Sequence, residues 1–450
     1  MIVWPAAPLA PEEAARRAAT GADPVWISSP GGARDRDVGI AFDVVAADPP
    51  ATVRDRPPIE VQGAWDDARR AWASEGVPVL PEVPVGVGWL SYDLARAWTP
   101  IPARARDDQG WPTIEFRFFD AIWCRRTGEP TARIFARDAR AARRLADRLE
   151  NPAPALPRPV LGPLTADEPR HRHGEAVARI QDYLRAGDAY QVNLARRLAA
   201  PVSAGDPIWI AAALRARAPA PHALWMGSRS GGHDGAGAAP IDRYVVGNSP
   251  ERFLRVDVNG NVETRPIKGT RPRGADAASD AAARAALAAA AKDRAEHVMI
   301  VDLERNDLGR VCQTGSVAVD GVLRVVELPT VFHLASTVRG RLLPGVGLDA
   351  LVRATFPGGS VTGTPKRRAM EIIEELEPVR RGIYTGATGW LGAAGDLDLA
   401  VAIRTATVAG GRLSFSVGGG IVVDSDAADE WEETEVKARA FVALCDPDRG

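Results

Sequence analysis

LDLAVAIRTATVAGGRLSFSVGGGIVVDSDAADEWEETEVKARAFVALC, residues 397–445, decides the fold class. The β-rich runs 397–408 and 411–423 flank Gly410-Gly411, a pair suited to a tight turn, so they read as an antiparallel hairpin. From Asp426 the pattern becomes helical, acidic early and basic late, as the helix dipole favours. Hairpins, long helices and few strand–helix–strand units argue for α+β with mixed or antiparallel sheets. Gly418, Gly419 and Gly420 fall inside the second run, where glycine weakens the ladder. They mark either a bulge or a ligand touching backbone.

Working outward, FPGGSVTGTPKRRAMEII (356–373) is a glycine loop leading into a helix N-terminus. Gly-Lys-Ser/Thr order is absent, so it is no nucleotide loop. AKDRAEHVMIVDLERNDLGRV (291–311) is a second acidic helix, with Val298, Ile300, Val301 and Leu303 as its apolar stripe. The Ala-rich run 276–291 is helix-forming, and PIKGTRPRG (266–274) is either a turn or a place of close backbone approach at Gly269. SRSGGHDGAGAAP (228–240) reads as a hairpin loop between two apolar runs. Helical spacing is predicted over 173–198, preceded by a Pro-rich linker at 151–168 that holds no helix. GVGWLSYDLA (86–95) and IEFRFFDAIWCRR (114–126) read as strands, and 136–151 as an amphipathic helix. The expected organisation is an N-terminal region 1–150, the linker 151–168 and a catalytic domain 169–447.

The 450 residues bury a sizeable core, and a formal charge of −2 excludes a broad polybasic surface for nucleic acid or anionic membrane. Cys124, Cys312 and Cys445 form no CxxC pair, which excludes a disulfide scaffold or cysteine zinc site and fits a reduced, cytoplasmic setting. No signal-peptide core or run of about 18 apolar residues occurs. Of the 56 basic residues only four are lysine: Lys268, Lys292, Lys366 and Lys437. An ammonium serves as point donor or nucleophile where a guanidinium cannot deprotonate, so these positions draw attention.

Glu430 and Glu433 are three apart and Lys437 follows Glu433 by four, so the three share a helix face. Asp293 and Glu296 repeat the i, i+3 spacing. Paired carboxylates on two helices suit a hard divalent cation, Mg²⁺ rather than zinc, because no His/Cys cluster accompanies them. The same spacing is also that of any solvated charged face. His171 and His173 fall at the linker, while His297 and His333 lie beside apolar runs, as core histidines do.

GDAYQVNL (187–194), SPERFL (249–254), PIKGTRPRG, AEHVMIVDLERNDLGRV (295–311), FHLASTVRG (332–340), PGGSVTGTPKRRAMEII, GIYTGATGW (382–390), AIRTATV (402–408), GGGIVVDSD (418–426) and EWEETEVKARA resemble, in order, the motif series of the chorismate-utilising enzymes. That family includes anthranilate, aminodeoxychorismate, isochorismate and salicylate synthases. The match covers about residues 170–445, and GVGWLSYDLA is similar to an N-terminal region of the first two. The resemblance implies a central sandwich of large mixed or antiparallel sheets flanked by helices. It implies that Glu296, Glu430 and Glu433 coordinate Mg²⁺, and that Thr270, Lys437 and the Gly418–Gly420 backbone contact the ring carboxylate of chorismate. Tyr384 and Arg404 fall on contacts to the enolpyruvyl carboxylate. Glu251 falls on a general acid toward the C4 hydroxyl, with His333 beside it.

Two positions divide the family by reaction. Members that add water carry a lysine base where this chain has Gln191, and an amide cannot deprotonate water, so ammonia is the implied nucleophile. Anthranilate synthases resemble PIAGT where this chain has PIKGT. A lysine amine at 268 can add at C2 and direct ammonia to C4, which implies formation of 4-amino-4-deoxychorismate, with anthranilate formation as the alternative. No cysteine has the GxCxG setting of an amidotransferase, so a separate glutaminase subunit is the implied ammonia source. A ligand sensor lacking chemistry would not need acid, amine and metal ligands together. The strings APAPH (218–222) and WISSP (26–30) lack the asparagine and tyrosine of a tryptophan feedback pocket, so that feedback is not expected.

Overall fold

In the computed structural model, which describes residues 1–6, 8–29, 42–73, 79–229, 241–327 and 331–445, the chain passes repeatedly between two sheets, and two of these crossings build the site. Strand Arg243–Ser249 belongs to a 12-stranded antiparallel sheet, and Arg252–Val256 to a 10-stranded one. Strand Leu397–Val401 lies in the smaller sheet and Thr405–Ala409 in the larger. The two crossings run side by side: Val401 N–H donates to Glu251 O at 3.0 Å, and Asn248 N–H to Arg404 O at 3.0 Å. Run 397–408 therefore does not form one strand of a hairpin. It breaks at 402–404, where Arg404 takes φ +49°, and only 405–409 pairs with Arg412–Ile421 across the Gly410-Gly411 turn.

The sheets pack face to face. One apolar cluster draws Val87, Trp89, Leu399 and Val401 from the smaller sheet and Ile27, Val44, Leu224 and Val245 from the larger. On the outer face of the larger sheet, helices Pro11–Ala18, Ala139–Glu150, Trp209–Arg217 and Ala427–Cys445 supply Ala14, Leu145, Leu214 and Phe441 to a second cluster. At about 1.5–3 kcal/mol for each large apolar side chain buried, these two layers fix where every crossing must fall. The result is the α+β sandwich flanked by helices that the sequence led us to expect.

Four readings change. Helical spacing over 173–198 holds only to Arg185, in helix Arg170–Arg185; Gln191–Pro201 is a strand paired with Arg412–Ile421 from Val192 on, its alternate residues Val192, Leu194 and Leu198 entering apolar clusters. His171 and His173 are in that helix, not at a linker, and His173 packs edge-on against Trp431. Val298 is 52% exposed, whereas Ile300 and Val301 are buried, so the inward face runs through His297, Ile300, Val301, Glu304 and Leu308. The Pro-rich segment divides the sequence but not the sheets: Pro84–Leu90 pairs with Ala387–Gly392, and Val25–Ser28 with His222–Ser228. Leu161 bridges Val202, and Thr165–Ala166 pairs with Gln191–Pro201. The strands flanking the 228–240 loop do pair as a hairpin. Residues 230–240 of that loop lie outside the described residues.

Candidate active site

Both crossings deliver polar side chains to one region. Glu251, at the first, is buried, and its backbone N–H is capped by Ser249 Oγ at 3.2 Å. Burial pushes its carboxyl up to about 7 against hydrogen bonds from Ser360 and the Ile267 amide and the attraction of Lys268 and Lys437. Arg404, at the second crossing, is part-buried, and its guanidinium has no hydrogen bond or ion pair among the described residues. Burial pulls it below the usual arginine range. Tyr384 is brought alongside by the pairing of Thr385 N–H with Ala402 O at 2.9 Å and of Ala402 N–H with Gly386 O at 2.9 Å.

Strand Ile267–Pro272 runs antiparallel to Val331–Arg341 with a register shift between Lys268 and Thr270, where Gly269 takes φ +72°. The bulge turns Lys268 away from the pleat. A Cβ on Gly420 would stand 2.8 Å from Lys268 Nζ and 2.2 Å from Gln191 Nε2, so both nitrogens lie over the same glycine. Gln191 is 1% exposed, and neither its Nε2 nor its Oε1 has a hydrogen-bond partner among the described residues. Across the strand, His333 Nδ1 meets Thr270 Oγ1 at 2.9 Å, while its buried Nε2 has no partner among the described residues. Burial and then the charges of Arg404 and Lys437 hold that ring down to about 3, so it is neutral. An unpartnered buried amide, an unpartnered imidazole nitrogen and an unpaired guanidinium each forfeit hydration without compensation, which in native proteins marks a ligand surface.

The acidic face lies on the other side of the glycines. Glu430 Oε2 and Glu433 Oε1 stand 3.0 and 3.5 Å from where a Cβ on Gly419 would be. Gly418 O accepts from Lys437 Nζ at 2.7 Å, and a Cβ there would meet Leu194 O at 2.4 Å. Each predicted metal ligand faces a lysine: Glu296 to Lys268 at 3.9 Å, Glu430 to Lys292 at 3.6 Å and Glu433 to Lys437 at 2.6 Å. Burial raises Glu296, and the nearby Glu430 and Asp293 add to the rise. Burial also pushes Glu433 up, but Lys437, Lys268 and Lys292 together bring it below the ordinary range. All three are oxygen donors of the kind a hard divalent cation takes. As the side chains stand, with lysines between them, no three acidic, His or Cys groups among the described residues close on one ion position. The chemistry of the donor set fits Mg²⁺; its present spacing is that of three ion pairs.

Two features of this region escape a reading by spacing. Glu304 and Asp307 are buried on the same helix as Glu296, and Lys366, at the start of helix Lys366–Leu376, binds Asp307 at 2.5 Å and Thr355 O at 2.9 Å. The clue available was that two acids continued the inward face of an otherwise apolar stripe. His297 is a core residue, its Nε2 2.7 Å from Ser336 Oγ and its buried Nδ1 without a partner among the described residues. Away from this region, Ile27, Ser29, Pro221, His222, Trp390 and Asp398 line a small cavity between the sheets, so the two strings read for a feedback pocket do meet.

Residues 23–443 match the chorismate binding enzyme family, and the chain belongs to it. It is 40% identical over 390 residues to anthranilate synthase component 1 of Streptomyces coelicolor, covering 81% of this chain and 74% of that one. It is also 40% identical over 357 residues to aminodeoxychorismate synthase component 1 of Klebsiella aerogenes, covering 79% and 76%. The crystal structure of anthranilate synthase component I from Streptococcus pneumoniae superposes with a TM-score of 0.74 at 30% identity, over 89% of this chain and 92% of that one. The protein is thus an enzyme acting on chorismate. No helix among the described residues is long and apolar enough to cross a membrane.

Proposed function

We propose that this enzyme converts chorismate and ammonia to 4-amino-4-deoxychorismate, in the branch leading to 4-aminobenzoate, with Lys268 as a covalent catalyst. The observation that carries the reading is the placement of Lys268 Nζ beside the unpartnered Gln191 amide over Gly420, with Glu251 among the groups the ammonium faces. The neutral Lys268 amine adds to C2 while the ring π electrons shift and the C4–O bond breaks. Glu251 gives its proton to the departing oxygen, which leaves as water; an acid held up to about 7 carries that proton at neutral pH. Ammonia then forms a bond to C4, the π electrons return, and the C2–N bond breaks to release the lysine. Gln191 offers an acceptor for the incoming N–H but no base strong enough to activate water. Arg404 and Tyr384 bind the enolpyruvyl carboxylate, for which a planar guanidinium is suited to two parallel bonds. Thr270, Lys437 and the Gly418–Gly420 backbone orient the ring carboxylate.

Glu296, Glu430 and Glu433 would hold Mg²⁺, which when bound supplies positive charge for the ring carboxylate. In the protein alone Glu296 is paired with Lys268 at 3.9 Å. A separate glutaminase subunit supplies ammonia, since neither Cys124, Cys312 nor Cys445 has an amidotransferase setting. Equal identity to an anthranilate synthase component keeps formation of anthranilate as the competing reading. Lys268→Ala separates them. With ammonium as donor it should lose about 10³-fold or more in aminodeoxychorismate formation. Full retention of that activity would falsify the covalent role.

A further inference from the structure

Arg381 has no part in the chemistry above, yet it lies three residues before Tyr384 and its side chain is 2% exposed. All five of its N–H groups find acceptors. Nε donates to Glu377 Oε2 at 2.9 Å, and Nη2 to Glu377 Oε1 at 2.6 Å and Asn193 O at 2.9 Å. Nη1 donates to Val361 O at 2.8 Å and to Thr385 Oγ1 at 3.3 Å. These acceptors come from the end of helix Lys366–Leu376, from strand Gln191–Pro201, from the short turn Gly359–Val361 and from the loop 382–386. Glu377 Oε1 also takes the Ala195 N–H at 2.9 Å, so the carboxylate is itself held. A planar fork with every donor engaged is fixed in place. A lysine, with three donors on one atom, could not make this set.

The loop it grips carries Tyr384. At the near end Gly382 O accepts from Tyr92 N–H at 2.8 Å and Ser91 Oγ at 2.7 Å, and Gly382 N–H donates to Asp93 Oδ2 at 3.0 Å. At the far end a Cβ on Gly386 would stand 2.0 Å from Leu90 O, so backbone packs directly on backbone. Between these ends Thr385 takes φ +60°, a left-handed conformation that a β-branched residue keeps only where its surroundings impose it. Its Oγ1 accepts the Arg381 N–H and donates in turn to Tyr384 O at 2.6 Å. The guanidinium also lies 4.9 Å from the ring centroid of Tyr92 and 5.9 Å from that of Tyr384. Burial pushes the Tyr384 hydroxyl above its usual range, against the Arg381 charge, so it stays a neutral donor.

We propose that Arg381 is a positioning residue: a fixed post that, through Thr385, holds the left-handed turn from which Tyr384 presents its hydroxyl to a substrate carboxylate. The inference rests on Tyr384 binding the enolpyruvyl carboxylate. Arg381 has no donor left for a ligand, so it acts only through the loop. Arg404, with no partner of its own, brings charge to that carboxylate. A phenol held in one place adds direction, and its ordering is completed before substrate arrives.

The test is a double-mutant cycle on KM for chorismate, with ammonium as donor. Tyr384→Phe keeps the ring and removes the hydroxyl, and it should raise KM about tenfold with kcat within about threefold. Arg381→Lys keeps a charge opposite Glu377 but not the fork, and it should raise KM by about the same factor. In the Tyr384→Phe background Arg381→Lys should add less than about twofold, because the hydroxyl it positions is gone. A residue that merely supports the fold would add its full factor in either background, and that outcome overturns the proposal. So does an unchanged KM in folded Arg381→Lys. Should Arg381→Lys not fold, Thr385→Val breaks the same link and should raise KM about threefold only where the Tyr384 hydroxyl is present. Equal rises in both backgrounds then overturn the proposal instead. An unchanged KM in Tyr384→Phe alone removes Tyr384 as a carboxylate contact, an outcome distinct from an additive cycle.

Discussion

Two arginines, one near each of the two crossings that build the site, are buried in opposite ways. Arg252, just past the first, donates to both Asp398 oxygens at 3.1 Å and to Glu263 at 2.7 Å, and its side chain is 1% exposed. Arg404, within the second, has no anion at all among the described residues, and burial alone shifts it. The first arrangement is complete within the protein. The second leaves a charge that only something outside the chain can answer, and it does so beside an orphaned amide at Gln191 and an orphaned imidazole nitrogen at His333. Unsatisfied polarity, more than the number of charges, sets this region apart.

If that contrast is right, the two arginines fail differently on truncation. Arg404→Ala should lower kcat/KM for chorismate by about 10²-fold or more, mostly through KM, while the melting temperature holds or rises because an unpaired charge has been removed. Arg252→Ala should cost roughly 3–5 kcal/mol of stability by stranding Asp398, which urea denaturation reads. Loss of stability at Arg404 without loss of affinity would break the comparison.

The glycines sharpen it at smaller scale. A methyl on Gly418 meets backbone, Leu194 O at 2.4 Å, whereas a methyl on Gly420 meets the ends of two side chains, Gln191 and Lys268. Gly418→Ala should reduce folded yield and thermal stability, because a strand must move. Gly420→Ala should fold, since side-chain tips can swing, yet lose about tenfold or more in kcat by displacing the amine and the amide. Comparable melting temperatures and comparable rates for the pair would remove the distinction between scaffold and site.

The smallest expected effect is on pH and stability. Glu251 and Glu304 are both held up to about 7 from 4.5, chiefly by burial. Each binds its proton more tightly folded than unfolded, so its contribution is full below about pH 4.5 and is lost as pH rises to about 7. Denaturation free energies between pH 5 and 8 should therefore decline with pH, and less steeply in Glu304→Gln.

Much of this was legible in the chain. The helix 427–445 with its Glu430, Glu433 and Lys437 face, and the glycine strand beside it, follow from period and composition, and four lysines among 56 basic residues directed attention to Lys268 and Lys437. What stayed hidden has a common cause. Run 397–408 looks like continuous β sequence, because both sides of the crossing are apolar, Leu399 and Val401 entering one cluster and Ala406 and Val408 the other; nothing local announces that Arg404 and Glu251 stand where the chain changes sheets. Gln191–Pro201 took on helical spacing because Arg196, stacked on Trp431, interrupts the alternation that Val192 and Leu194 begin and Leu198 resumes. Glu304 drew no reading of its own, since burial of a carboxylate depends on a turn 55 residues away in sequence.

The central claim is the identity of the product. Purified enzyme with chorismate, Mg²⁺ and ammonium, analysed by mass spectrometry and fluorescence, should yield 4-amino-4-deoxychorismate, with turnover abolished by EDTA and restored by Mg²⁺. Accumulation of fluorescent anthranilate, in enzyme whose Lys268 is intact, would contradict it.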